Sequence, residues 1–126
     1  MNLKFLKCNK CKNILVYVDE KCSGLTCCGE DLKELVPGTV EASAEKHIPV
    51  YEQIENTVNV TVGSVLHPMQ PEHYIEWICI QTSQGHQLKY LNPGEEPKAS
   101  FTLTNDEKLE AVYAYCNLHG LWKSTI

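Results

Sequence analysis

Cys116 and His119 form a C-x-x-H pair near the end of the chain, and His47, His67 and His73 stand upstream of it. One thiolate and four imidazoles make a donor set too soft for magnesium or calcium. Zinc, usually four-coordinate, has little use for five protein ligands. A redox-active iron with an open sixth position suits the set better. A second group, Cys8-Asn9-Lys10-Cys11 answered by Cys27-Cys28, lies in the first 36 residues. Two different metal-ligand sets in 126 residues point to electron chemistry.

Cys8 and Cys11 have the spacing of a metal knuckle, in which a tight turn brings two thiolates onto one ion. Cys27 and Cys28 are a harder case. Neighbours on an extended strand point to opposite faces, so both reach one metal only if the backbone bends sharply. Gly29 follows directly and is the expected source of that bend. A distorted tetrahedral S₄ site results, suited to zinc or to a single iron, and spacing alone does not separate the two. Cys22, in the intervening loop, is a fifth cysteine beside a four-ligand set and reads as a free thiol.

The elements that must position these groups divide by composition. The first 36 residues hold five of the seven cysteines and no histidine, while the remainder holds all five histidines. A boundary is expected near Val36-Pro37-Gly38, a Pro-Gly pair that favours a turn. In the first part, Asn13 to Asp19 reads as a strand with Ile14, Val16 and Val18 on one face. So small a piece buries too little apolar surface to fold alone, and a metal would supply the missing stability.

The second part reads as short strands. Val58, Val60 and Val62 alternate with Asn59 and Thr61 before Gly63. Tyr74 to Gln81 places Ile75, Trp77 and Cys79 on one face, followed by a turn at Ser83-Gln84-Gly85. Gln87 to Leu91 precedes the strong turn Asn92-Pro93-Gly94. Phe101 and Leu103 mark one further strand, and Ala111, Tyr113 and Tyr115 another. His47 to Glu52 reads as an edge strand, where Pro49 is tolerated, and Thr39 to Lys46 is compatible with a helical turn. Six or seven such strands predict an all-β protein with an antiparallel β-sandwich. Cys79 fits a strand core position, and His86, after Gly85 in a hairpin turn, reads as exposed and without a role.

A chain that is 43% hydrophobic and 21% charged has the balance of a globular protein. Apolar runs such as Ile14 to Val18 are too short to span a bilayer. Met1 to Lys7 has basic residues without an apolar stretch, so no signal peptide is expected and the expected compartment is a reducing cytoplasm. There, closely paired cysteines are better read as metal ligands than as disulfides. The net charge of −5 argues against nucleic acid. A small anion remains a possible substrate if positive charge is concentrated at one site.

The C-x-x-C…C-C pattern resembles desulforedoxin, whose mononuclear iron is held by four cysteines, and this moves the choice at the first site to iron. Glu45-Lys46-His47, His67-Pro68-Met69 with His73-Tyr74, and Cys116-Asn117-Leu118-His119-Gly120 resemble desulfoferrodoxin, the two-iron class of superoxide reductase. The likeness spans nearly the whole chain. It implies two iron ions per chain, one on Cys8, Cys11, Cys27 and Cys28. The other is on His47, His67, His73 and His119 around an equatorial plane, with Cys116 on the axis. It also implies a desulforedoxin-like module over residues 1–36 and an immunoglobulin-like β-sandwich over 37–126.

The reaction implied is that superoxide plus one electron and two protons gives hydrogen peroxide. The axial thiolate would push electron density toward the metal. By the same resemblance, Lys46 attracts the anion and orders a proton-donating water, and Glu45 takes the open position of ferric iron once product has left. Each turnover needs an external electron, which implies a rubredoxin-like donor, and the family implies a homodimer. The competing readings are a non-catalytic iron electron carrier, a zinc-ribbon interaction module fused to a sandwich, and superoxide dismutation.

Overall fold

The computed structural model describes residues 2–126. The chain divides into two compact units, Met1–Val36 and Pro37–Ile126. In the first unit, β1 (Phe5–Lys7) pairs antiparallel with β2 (Ile14–Val16) and with β5 (Lys33–Glu34). A short hairpin of β3 (Thr26–Cys27) and β4 (Glu30–Asp31) carries the second cysteine pair. The strand expected over Asn13 to Asp19 is shorter than its pattern, because β1 offers only three partner residues, and Val18 is 84% exposed. Among the described residues of this unit, Phe5, Leu6 and Cys8 are the buried apolar ones. Three residues are too few to sustain a hydrophobic core, so cross-links must contribute.

The second unit opens with a single helical turn, α1 (Ala44–His47), and continues as seven strands. β6 (Pro49–Ile54), β7 (Thr57–Val62) and β10 (Lys98–Thr102) form one antiparallel sheet in the order β10-β7-β6. β8 (Ile75–Thr82), β9 (Gly85–Tyr90), β11 (Leu109–Cys116) and β12 (Gly120–Thr125) form the other, in the order β12-β11-β8-β9. Three strands against four is the layout of an immunoglobulin-like sandwich. The region His47 to Glu52 is not all strand. His47 closes the helical turn, where Ile48 N–H bonds Ala44 carbonyl at 2.9 Å, and β6 begins only at Pro49.

The core explains the strand patterns. Val58, Val60, Val62 and Phe101 from one sheet meet Ile75, Ile78, Ile80, Val112, Ala114 and Cys116 from the other. The expected face of Ile75, Trp77 and Cys79 is split: Ile75 joins this core, whereas Trp77 stacks on Tyr115 on the opposite face of the sheet, ring centroids 5.4 Å apart. A register shift between Tyr115 and Cys116 is the cause. It leaves Glu76 unpaired with β11, sets Cys116 opposite Ile75, and gives the core an isoleucine where strict alternation would place a carboxylate. Bulges of this kind re-aim side chains beside functional sites. No helix among the described residues is long and apolar enough to cross a membrane.

Ile78 is fully buried where the two sheets meet. Ile78→Ala should therefore destabilise the second unit by about 2–5 kcal/mol, through lost burial and the cavity left behind. Urea unfolding of the full chain, followed by tryptophan fluorescence, measures it, since Trp77 and Trp122 both lie in this unit.

Candidate metal centres

In the first unit, the Cys8 to Cys11 segment is a hydrogen-bonded turn. Lys12 N–H bonds Cys8 carbonyl at 2.9 Å, Cys8 N–H bonds Asn13 carbonyl at 2.9 Å, and Cys11 N–H points at Cys8 Sγ at 3.5 Å. Lys12 takes a left-handed φ of 69°, which closes the turn. The bend at the second pair begins one residue earlier than Gly29. Cys28 itself has a φ of 54°, and Gly29 continues with 76°. That left-handed residue swings the Cys28 thiol back beside its neighbour, and the two sulfurs lie 3.9 Å apart.

Cys11 and Cys27 sulfurs are 3.5 Å apart, and all four sulfurs lie within 4.8 Å of one another. A tetrahedron with metal–sulfur bonds of ~2.3 Å has edges of ~3.8 Å, so the spacing fits one ion. The protons agree with this. The Cys11 N–H bond draws the Cys8 thiol down to about 6, while hydrogen bonding to Cys11 and Cys8 pushes Cys27 up to about 12. Without a cation the cluster resists gathering negative charge, and Cys27 and Cys28 are both raised. A metal ion takes the place of the thiol protons.

The second unit brings His47, His67, His73, Cys116 and His119 together from four separate segments. The rings of His47, His67, His73 and His119 form a closed cycle. Neighbouring centroids are 4.6–5.0 Å apart and neighbouring planes are 80–84° apart. His47 and His73 face each other across the cycle at 6.3 Å. Four donors in a square is the outcome. Cys116, fully buried at the end of β11, adds its sulfur 3.8 Å from His119 Nδ1.

The tautomers decide what such a square is for. His47 Nδ1 donates to Ser43 carbonyl at 2.7 Å, and His67 Nδ1 donates to Pro68 carbonyl at 2.7 Å. A carbonyl only accepts, so each Nδ1 carries its proton and, in the neutral ring, each Nε2 is bare. Those two bare nitrogens lie 3.1 Å apart. Burial lowers His47 and pulls His67 down to about 4, so neither ring gains a second proton at neutral pH. His73 Nε2 is buried with no hydrogen-bond partner, and burial lowers that ring too. Lone pairs facing one another are unfavourable unless a cation sits among them. Donors ~2.1 Å from an ion and at right angles to one another are ~3.0 Å apart, which matches. The residues fit a metal ion.

Cys116 is held by competing effects. Burial pushes its thiol up, while the Leu118 and His119 backbone N–H groups pull it down. Trp122, which the sequence reading passed over along with all of β12, packs its ring 5.0 Å from the His47 ring. Its Nε1–H donates to His119 carbonyl at 3.0 Å, so one indole steadies two of the four donor segments.

Glu45 and Lys46 are both exposed. Burial is the main cause that lowers His47 and His73, and the Lys46 charge adds a small part to both. Glu45 is fixed through its backbone. Its carbonyl accepts from Val65 N–H at 3.0 Å and from Ser64 Oγ at 3.2 Å. Gly63 makes this clasp possible. A Cβ there would lie 2.6 Å from Glu45 carbonyl oxygen and 2.9 Å from that of Ile48. The sequence marks Gly63 only as the end of a valine-alternating strand, and nothing local reveals that another backbone presses against it. Cys22 and His86 are exposed and Cys79 is buried, each apart from the two clusters.

Comparison with known proteins agrees with this geometry. The Desulfoferrodoxin family model matches residues 39–125. A desulfoferrodoxin homolog of Archaeoglobus fulgidus is 44% identical over 122 residues, covering 97% of this chain and 96% of the relative. The desulfoferrodoxin of Nitratidesulfovibrio vulgaris is 42% identical over 118 residues, covering 94% and 92%. The superoxide reductase of Treponema pallidum has a similar structure, with a TM-score of 0.84 and 41% identity over 99% of this chain and 100% of that one. The four-cysteine and histidine–cysteine sets fit the two-iron class of desulfoferrodoxin.

Gly63→Ala should push the Glu45 to Ile48 turn off the sandwich, because backbone atoms cannot yield as a flexible side chain would. The expected cost is about 1–3 kcal/mol, with reduced iron occupancy at the five-donor centre and normal occupancy at the four-cysteine centre. Metal analysis together with the visible spectrum reads both centres in one sample. Wild-type occupancy at the five-donor centre would mean that the clasp does not place His47.

Proposed function

Because this chain belongs to the desulfoferrodoxin family, we propose that it is a superoxide reductase, converting superoxide to hydrogen peroxide by one-electron reduction. The observation that carries this reading is the square of four imidazoles with a buried thiol beside it. His47, His67, His73, His119 and Cys116 are assigned as ligands of one iron. Cys8, Cys11, Cys27 and Cys28 are assigned as ligands of a second. Iron held at the five-donor centre would supply the electron and one remaining position for the substrate.

The protein's own groups do the rest. Five protein donors fill all but that position, which limits the site to a small ligand. His47 and His67 are oriented by the carbonyls of Ser43 and Pro68, so the bare nitrogens need no reorganisation. Cys116 lies out of contact with water, with two backbone N–H groups stabilising its thiolate form. The Lys46 ammonium, exposed on the residue before His47, offers an anion a positive target on a protein of net charge −5. It also holds a water from which a proton reaches the departing product. Glu45, exposed on the same turn, is assigned as the carboxylate that would close the site after the product leaves.

The domain assignment follows the ligand sets: residues 1–36 are a desulforedoxin-like iron module and residues 37–126 the superoxide reductase domain. A rubredoxin-like protein is proposed as the electron donor, a homodimer as the assembly, and the cytoplasm as the compartment, where free cysteines stay reduced.

The direct test mixes the chemically reduced protein with superoxide generated by pulse radiolysis. One oxidised five-donor iron and one hydrogen peroxide per superoxide are expected, without oxygen release. Oxygen evolution would indicate dismutation instead. Failure of the centre to oxidise would leave an electron carrier.

Lys46→Ala should slow bimolecular capture of superoxide by about tenfold, the loss expected when local steering charge is removed. The wild-type rate should fall with added salt and the variant's rate should fall less. Pulse radiolysis at several ionic strengths makes the measurement. Equal rates and parallel salt slopes would deny Lys46 a steering role.

A further inference from the structure

We infer that Asn117 is a positioning residue for the five-donor centre, gripping the backbone on both sides of His73 and tying that ligand to the turn that carries Cys116 and His119. Asn117 Oδ1 accepts from Tyr74 N–H at 3.0 Å. Its Nδ2 donates to Glu72 carbonyl, also at 3.0 Å. The Asn117 backbone N–H donates to Tyr74 carbonyl at 3.2 Å. Residues 72 and 74 are thus both held, and residue 73 between them has little freedom left.

His73 is the donor that needs such a grip. The rings of His47 and His67 are each anchored at Nδ1 by a backbone carbonyl. Among the described residues no carbonyl does this for His73, and its Nε2 has no partner either. Its direction must therefore come from its backbone. The surrounding loop offers little packing, since Gln70, Pro71 and Glu72 are all exposed. Gln70 and His73 exchange backbone hydrogen bonds at 2.9 and 3.0 Å, which shapes the loop into a tight turn but does not fasten it to anything. Asn117 provides the fastening, and it does so from the residue directly after Cys116.

The chemistry selects asparagine. The site asks for one acceptor and one donor from a single planar group of fixed span. Aspartate keeps the acceptor for Tyr74 N–H but sets a second oxygen against Glu72 carbonyl. Alanine loses both bonds. The inference rests on His73 and Cys116 serving the same iron, and backbone exchange tests the grip without that premise.

The test compares wild type, Asn117→Ala and Asn117→Asp as iron-loaded full-length chains, each by three measurements. Hydrogen exchange read by mass spectrometry follows peptides covering residues 70–75, with peptides from β7 and β11 as internal controls. Iron release to a chelator is followed by visible absorption, which separates the two centres. The ferric electron paramagnetic resonance spectrum reports the symmetry of the five-donor centre.

In Asn117→Ala, exchange at Tyr74 and iron release from the five-donor centre should each rise about tenfold, with the resonance spectrum altered. The four-cysteine centre and the control peptides should match wild type. Asn117→Asp should keep Tyr74 protected while releasing iron faster than wild type. Wild-type exchange and release in Asn117→Ala would overturn the inference, as would equal loosening of the control peptides. Should Asn117→Ala fail to fold, Asn117→Asp decides alone, and wild-type iron release in it would overturn the inference. Should the centre prefer an ion other than iron, the iron assignment falls while the exchange pattern still decides the grip.

Discussion

Two imidazole nitrogens with no proton between them lie 3.1 Å apart in the second unit, and the rest of that unit is arranged to keep them there. The contact is unfavourable in the absence of a cation, so it must be held by forces from elsewhere. Ser43 and Pro68 carbonyls fix the ring directions, Trp122 covers His47, and the Gly63 clasp holds the helical turn that ends at His47. Behind them stands a sandwich whose core places Cys116 itself among valines and isoleucines. The hydrophobic core supplies the rigidity, and a cation recovers as binding energy the repulsion that rigidity maintains.

The two centres reach metal readiness by opposite routes. In the four-cysteine cluster the Cys11 backbone N–H draws Cys8 down, while hydrogen bonding to the Cys11 and Cys8 side chains pushes Cys27 up. Metal binding there must release protons and is tied to the folding of a unit with few buried apolar residues. In the five-donor centre burial lowers His47, His67 and His73 and so keeps those rings from taking up protons, while it raises the Cys116 thiol, whose proton a metal must displace. Charge follows the same division. Four thiolates around an iron make a net anion, whereas four neutral imidazoles and one thiolate leave a ferrous centre positive. An anionic substrate is attracted by the second and repelled by the first.

The donors themselves were legible in the sequence because their residue types are rare and their spacing is tight. C-x-x-C, C-C and C-x-x-H mark turns, and His67 and His73 flank a loop with two prolines. The strands followed from alternation in Val58 to Val62 and from turn residues such as Asn92-Pro93-Gly94. What the sequence hid was long-range backbone contact. The register shift that places Ile75 rather than Glu76 in the core depends on β11, about 40 residues away in sequence. Gly63 reads as a strand terminator until the Glu45 carbonyl is found against it. At the Cys27-Cys28 pair the bend was anticipated at glycine, yet the left-handed residue begins at Cys28, where the hydrogen-bonded thiols and the β3–β4 hairpin outweigh the usual preference.

Three of the four donor segments in the second unit are tied to a neighbouring segment through the backbone. Glu45 carbonyl is bound by residues 64 and 65, Tyr74 is bound by Asn117, and His119 carbonyl by Trp122. His67 follows from the first of these ties, since its own N–H returns to Val62 at the end of β7. A displacement of any one segment therefore strains a hydrogen bond to another, and the donors move as a group or not at all. Such coupling suits a centre that must change oxidation state each turnover with little rearrangement, because a ligand field held by a linked frame limits the reorganisation an electron must wait for. The exposed side chains of Glu45 and Lys46 stand outside that frame on a turn whose backbone belongs to it. Exposed charges on a fixed support can respond to a ligand while the donors beneath them stay in place.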